Sequence, residues 1–216
     1  MNAHRVEGMP RLRGEQYPAR HREVLREALH LFAERGYAGA SLRELARRLG
    51  IQQPSLYHYF RKKDELVEQV LEYFGIGGAG TMIAGEPYAP DDIADLPAAL
   101  TLYVRYLYDH TEWPLLVRFM FVLAAEKRSF TPKLREMFVE QSSELTRIML
   151  AHYVDSGQVS ADEVAHFSRM ILSAIALPLI EERLLFPDGD RHPDLDPYFA
   201  FVVESARTTI EARRRK

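Results

Sequence analysis

The chain reads as all-α, with about nine helices: a three-helix N-terminal head and a larger helical body. Three observations predict this. Apolar residues recur at helical spacing along nearly all 216 residues. No convincing run of period-two alternation marks a strand. Capping residues, glycines and prolines punctuate the apolar stretches where helices would start and stop.

Taken in order, residues 1–18 are polar, carry Arg5, Arg11 and Arg13, and lack the apolar stretch of a secretory signal, so they read as a flexible basic arm. The first helix spans residues 19–35, with Val24, Leu25, Ala28, Leu29 and Phe32 on one face and Gly36 as its stop. Ser41 caps a short second helix, with Glu44 three residues on as its capping-box partner. Leu42, Leu45, Ala46 and Leu49 form the apolar face of that helix, and Gly50 closes it. A third helix follows Ile51 and Gln52, with Pro54 in its first turn, where a missing N–H costs little. Asp64 is placed to cap a fourth, connecting helix through Leu66, Val67, Val70, Leu71 and Phe74.

Residues 75–90 are glycine-rich and lose their period, which predicts a loop. Gly75 to Gly80 formally match G-x-G-x-x-G, but a helix rather than a strand precedes them, so they read as a connector. Five further helices are expected. They cover residues 96–110, 111–127 (Thr111 cap, Pro114 in the first turn), 131–154 (opened by Thr131-Pro132), 160–185 (Ser160 with Glu163) and 196–213 (opened by Asp196-Pro197).

Composition excludes several classes of function. There is no cysteine, hence no disulfide and no thiolate metal site. His110, His152, His166 and His192 are scattered without metal-ligand spacing, and no P-loop or HExxH occurs. No catalytic residue, metal or cofactor is expected. The longest apolar run, residues 171–180, is half the roughly 20 residues that span a bilayer, so the expectation is a cytoplasmic protein with no membrane partner. Charge is divided: residues 1–63 carry a net +7 and the remainder −10. A basic head on an acidic body suits a nucleic-acid partner; a solvated charged surface is the other reading.

The segment from Ser41 to Phe60, SLRELARRLGIQQPSLYHYF, has the spacing of a helix-turn-helix. Ala46 is small enough for a close helix crossing, and Leu45, Leu49, Ile51, Leu56 and Phe60 would fill the core beneath it. Tyr59 reads as a core aromatic, and Arg47 and Arg48 as a solvated helix face or backbone contacts. The exposed side of the third helix is left with Gln52, Gln53, Ser55, Tyr57 and His58, groups suited to base edges and phosphates.

From Phe32 to Val67, FAERGYAGASLRELARRLGIQQPSLYHYFRKKDELV resembles the tetracycline-repressor (TetR) family of one-component regulators. The most specific part is LYHYF followed by a lysine and an acidic helix start. The resemblance implies that Gln53, Pro54 and Ser55 meet the DNA groove and that Tyr57 and His58 touch phosphates or bases. It further implies that Lys63 binds phosphate and that Ser41 and Arg43 reach the backbone. Many members have Gly where this chain has Pro54, which stiffens the turn and removes one backbone donor. The implied division is a DNA-binding domain at 19–63 and a ligand-binding and dimerisation domain at 64–216, with 64–74 as connecting helix. The implied partners are a palindromic DNA operator, a small largely apolar or amphipathic effector, and a second copy of the chain, bound through the last two long helices. Repression is the usual activity.

The body offers apolar and polar candidates for effector contact. The helix WPLLVRFMFVLAAE is apolar almost all round and is expected to be buried on several sides. Tyr103, Tyr106, Trp113, Met120, Phe138, Phe167 and Met170 either line a cavity or fill an ordinary core. Arg118, on that apolar helix, calls for an anion: a ligand carboxylate, or an internal acid such as Glu126. Near the end, Ser173, Ala174 and Ala176 beside Leu172, Ile175 and Leu179 would allow close helix packing, with a kink at Pro178. A helical carrier or enzyme with a vestigial DNA-binding motif is the competing reading, and salt-dependent DNA binding separates the two.

Overall fold

A computed structural model describes residues 3–5, 14, 16–75, 88–137, 150–163, 166, 170, 173–174 and 195–214; at 3–5, 88, 89, 103, 104 and 107–110 it describes the backbone alone. The described elements, in chain order, are β1 (Ala3–Arg5), α1 (Ala19–Gly39), α2 (Leu42–Arg48), a 3₁₀ helix (Gln53–His58), α3 (Lys63–Phe74), β2 (Tyr88–Pro90), a 3₁₀ turn (Ile93–Asp95), α4 (Leu96–His110), α5 (Trp113–Glu126), a 3₁₀ turn (Arg128–Phe130), α6 (Thr131–Arg135), a 3₁₀ turn (Ala161–Glu163) and α7 (Asp196–Arg214). Helices build the fold, as predicted. The exception among the described residues is an antiparallel ribbon pairing Ala3 with Pro90, His4 with Ala89 and Arg5 with Tyr88. Three residues per strand are too few for alternation to show in a sequence.

By contact, the chain forms two compact units, one of residues 11–82 with 111–141, the other of 1–10, 83–110 and 142–216. In the first, Val24, Leu25, Ala28, Leu29 and Phe32 of α1 are buried together with Leu66, Val67, Val70 and Leu71 of α3 and Leu116, Val117, Phe119, Met120 and Leu123 of α5. The rings of Phe32 and Phe119 stack at 4.9 Å, 11° from parallel. Each such side chain contributes about 1.5–3 kcal/mol of burial, so this stripe dominates the unit's stability. α5 is less enclosed than its composition suggests: Arg118 is exposed and Phe121 is 48% exposed. The helix buries one wide face, and Arg118, next after Val117, falls on the other, exposed one. Its expected internal partner, Glu126, instead accepts from the Ala38 N–H at 3.0 Å.

Helix starts follow the predicted chemistry with small shifts. Trp113 N–H donates to Thr111 Oγ1 at 3.2 Å. One arm of the Ser160–Glu163 box forms: Glu163 Oε2 accepts from Ser160 N–H at 3.3 Å and from its Oγ at 2.8 Å, while the Glu163 N–H donates to Ser160 O rather than to the hydroxyl. α3 begins one residue earlier than expected, with Lys62 at the cap position, so Asp64 lies in the first turn beside Glu65. There both carboxylates still favour the helix N-terminus. The helix expected over 131–154 starts as α6, and residues 150–155 are helical; 138–149, like most of 164–194 and the connector 76–87, lie outside the described residues.

The second unit is tied by bonds between distant positions. Tyr153, fully buried, donates to Pro90 O at 2.6 Å. Gln158 accepts from Ile93 N–H at 3.0 Å and donates to Asp91 O at 2.9 Å. Arg214, at the end of α7, makes two 2.9 Å hydrogen bonds to the Asp92 carboxylate. Arg105 pairs with Asp196 at 2.6 Å. α7 buries Phe199, Ala206 and Ile210, while Tyr198 and Phe201 are exposed.

Candidate nucleic-acid interface

The head is assembled from local signals that work as their chemistry requires. Ser41 Oγ accepts from the Glu44 N–H at 3.1 Å, satisfying one of the free donors at the start of α2. Glu44 does not complete the box; its carboxylate holds Arg47 at 2.7 Å and Arg48 at 3.2 Å, which lowers its pKa to about 2. At the other end Gly50 adopts φ 65°, letting Gly50 N–H return to Arg47 O (3.2 Å) and Ile51 N–H to Ala46 O (3.0 Å). That pair of bonds is a Schellman closure, and it turns the chain into the next helix.

The recognition segment is a single 3₁₀ helix, Gln53–His58, rather than the α-helix expected. Pro54 lacks an N–H, and six residues are too few to establish the α ladder, so tighter bonds such as Ser55 N–H to Gln52 O (2.9 Å) prevail. Leu56 and Phe60 anchor it in the core under Leu45 and Ala46. Gln52, Gln53, Pro54 and His58 are exposed, Ser55 is half-buried, and Tyr57 is 51% exposed. The same side chains that lack a core role thus form one polar, outward surface. Ser41 and Arg43 are exposed at the start of α2, and Arg61 and Lys62 are exposed just before α3. Tyr59 is half-buried, edge-on to His21 at 5.3 Å.

Two cations behave differently from expectation. Arg48 is no solvated side chain: it bridges Glu44 of α2 to Glu27 (3.3 Å) and Glu34 of α1. Lys63, expected at phosphate, turns its ammonium inward onto the carbonyl oxygens of Tyr37 and Ala40. Burial, then the nearby Lys127, lower its pKa. Sequence reasoning missed Lys127 and gave Glu126 another role, as an anion for Arg118. They reach the head from the end of α5, and no local pattern signals a partner 63 to 90 residues away.

The described effector candidates are divided between the two units. Trp113 and Met120 are buried in the head's unit; Tyr106 is half-buried and Met170 exposed in the other. The Tyr103 side chain, Phe138 and Phe167 lie outside the described residues. Among the described residues no group of three His, Asp or Glu is placed to hold a metal ion, and no helix is long and apolar enough to cross a membrane.

Comparison with known proteins matches this head. Residues 24–70 match the family model described as bacterial regulatory proteins, tetR family. The repressor KstR2 of Mycolicibacterium smegmatis is 41% identical over 59 residues, which are 27% of this chain and 29% of that protein. The class A tetracycline repressor of Escherichia coli is 49% identical over 49 residues, 23% of each chain. The chain thus spans less than a third of the length of the curated relatives it matches. Solved structures extend the likeness of fold across most of the chain. A TetR-family regulator from Mesorhizobium loti superposes with TM-score 0.57 at 17% identity, covering 89% of this chain and 93% of that one. The multidrug-binding protein EbrR, complexed with imidazole, gives TM-score 0.51 at 20% identity over 94% and 96%. The head is thus similar to the N-terminal domain of tetR-family regulatory proteins, and the fold of most of the chain is like that of a solved TetR-family regulator.

Proposed function

We propose that the chain is a transcriptional repressor, not an enzyme, that binds a palindromic operator as a dimer and releases it on binding a small, largely apolar or amphipathic effector. The observation that carries this reading is the outward surface of Gln52, Gln53, Tyr57 and His58 on a helix anchored by Leu56 and Phe60. Amides, a phenol and an imidazole at the tip of a short helix are groups that hydrogen-bond base edges in a major groove. Ser41 and Arg43, exposed at the neighbouring helix start, are placed for backbone phosphates.

One such head reads few base pairs, so two are needed, spaced by about 34–36 Å or a multiple of it. Exposed Tyr198 and Phe201 on α7 supply apolar surface for self-association, and Tyr198 Oη donates to Ala174 O at 2.8 Å, joining α7 to the small-residue stretch before it. The effector class is supported by the buried Trp113 and Met120 and by the multidrug-binding character of EbrR. An effector acts only through a difference in affinity between DNA-competent and released states.

Selection of bound duplexes from a random pool tests the reading. The expected result is a palindromic site whose affinity falls steeply with salt, together with compounds that release it. Gln53→Ala is expected to relax sequence preference at one position of each half-site. A monomer with effector affinity and no salt-dependent DNA binding would instead establish the carrier reading.

A further inference from the structure

Between α1 and α2 lies a corner that the local sequence does not hold by itself. α1 breaks at Gly36 (φ 71°, ψ 176°), makes one more turn, and leaves through Ala40 in extended conformation to Ser41. A break of this kind exposes backbone donors on one side and acceptors on the other. Here charged side chains from elsewhere take them. Glu126 accepts from Ala38 N–H at 3.0 Å, and Lys63 donates to Tyr37 O and Ala40 O. Gly36 is required for its backbone, φ 71° with ψ 176°, and a Cβ there would also press on the far end of the Glu126 side chain.

Tyr37 is gripped as firmly. Its hydroxyl donates to Asp64, and Lys127 donates to that same carboxylate and to the Tyr37 oxygen, the latter at 2.7 Å. The ammonium groups of Lys63 and Lys127 lie 4.4 and 4.2 Å from the centre of the Tyr37 ring. Desolvation of such an arrangement is modest, since Asp64 and Lys127 are each partly exposed, but its geometry is over-determined. The corner leads directly into Ser41, the first residue of the outward surface.

From this we infer that Glu126 and Lys127 are positioning residues for DNA binding: they fix the α1–α2 corner and so set where Ser41 and Arg43 are presented. Neither side chain need touch DNA. The inference rests on the DNA-binding reading above and assigns a role in it to the end of α5, far outside the helix-turn-helix.

The test uses the full-length protein and the duplex recovered by selection. Glu126→Ala and Lys127→Met are each expected to weaken binding by about fivefold or more, the loss of roughly one charge-assisted hydrogen bond. The slope of log affinity against log salt should stay unchanged, because no phosphate contact is lost. Arg43→Ala provides the contrast, its slope falling by about 0.9. Lys127→Arg should restore affinity, and Lys127→Met combined with Ser41→Ala should be non-additive. Unaltered affinity in both single variants overturns the inference. So does a slope that falls by about 0.9 in Lys127→Met, which would make Lys127 a direct phosphate contact. Wild-type protein that selects no duplex at all overturns the DNA-binding reading itself, and this inference falls with it.

Discussion

The head between Ser41 and Phe60 and the unit built around α7 are held together in opposite ways. In the head, the bonds that shape the backbone join residues within five positions: the Ser41 cap, the Schellman closure at Gly50, the 3₁₀ bonds after Gln52. Around α7, the bonds that matter join Tyr153 to Pro90, Gln158 to Ile93 and Arg214 to Asp92, separations of 63, 65 and 122 residues. A locally encoded region is legible in its sequence; a region closed at long range is not.

That contrast has measurable consequences. Leu56→Ala removes the fully buried anchor of the recognition segment and should cost about 2–5 kcal/mol in denaturant unfolding, the cost of a core cavity. A loss under 1 kcal/mol would mean that the segment is held mainly from elsewhere. Gly50→Ala should cost about 1 kcal/mol through its positive φ alone, since nothing lies within 4 Å of the added methyl. Gly36→Ala should cost more than Gly50→Ala, because φ 71° with ψ 176° is a region essentially closed to a residue with a Cβ. Equal losses at the two glycines would show that the break in α1 relaxes at no more cost than the turn at Gly50.

Acid sharpens the comparison further. Glu44 has its pKa lowered from 4.5 to about 2 by Arg47 and Arg48, and Asp64 is lowered by Lys127 and Tyr37. A depressed carboxylate contributes stability that is present above its unfolded pKa and lost as pH falls through the folded one. The head should therefore hold its thermal midpoint down to about pH 5 and lose it toward pH 2. The smallest effect is expected at Arg214→Ala. Its paired groups are partly exposed, so about 0.2–1 kcal/mol should be lost, however good the geometry.

The sequence-based reading succeeded where chemistry was written locally. Helix order, the Ser41 cap, the breaks at Gly36 and Gly50, and the outward set Gln52, Gln53, Tyr57 and His58 could all be read from spacing and residue type. It missed the 3₁₀ form of the recognition segment, because Pro54 in a first turn suits an α-helix equally well. Arg118 was assigned to an interior from the apolarity of its neighbours, whereas a helix buries a face rather than a composition. Lys63 matched a family position, yet its inward turn depends on Tyr37 and Ala40, whose free carbonyls arise from a backbone break with no further sequence sign. Glu126 and Lys127 lay beyond any pattern, since only the packing of α5 along α1 brings them to the corner.

Trp113 is the single tryptophan in the sequence, buried in the same compact unit as the head. Its emission is therefore a built-in optical gauge of that half alone, shifting to longer wavelength when the indole meets water. With the indole placed instead at the buried Phe199, by Phe199→Trp, in a Trp113→Phe background, the other half acquires a gauge of its own. Melting curves from the two proteins would then show whether the halves unfold in one transition or in two.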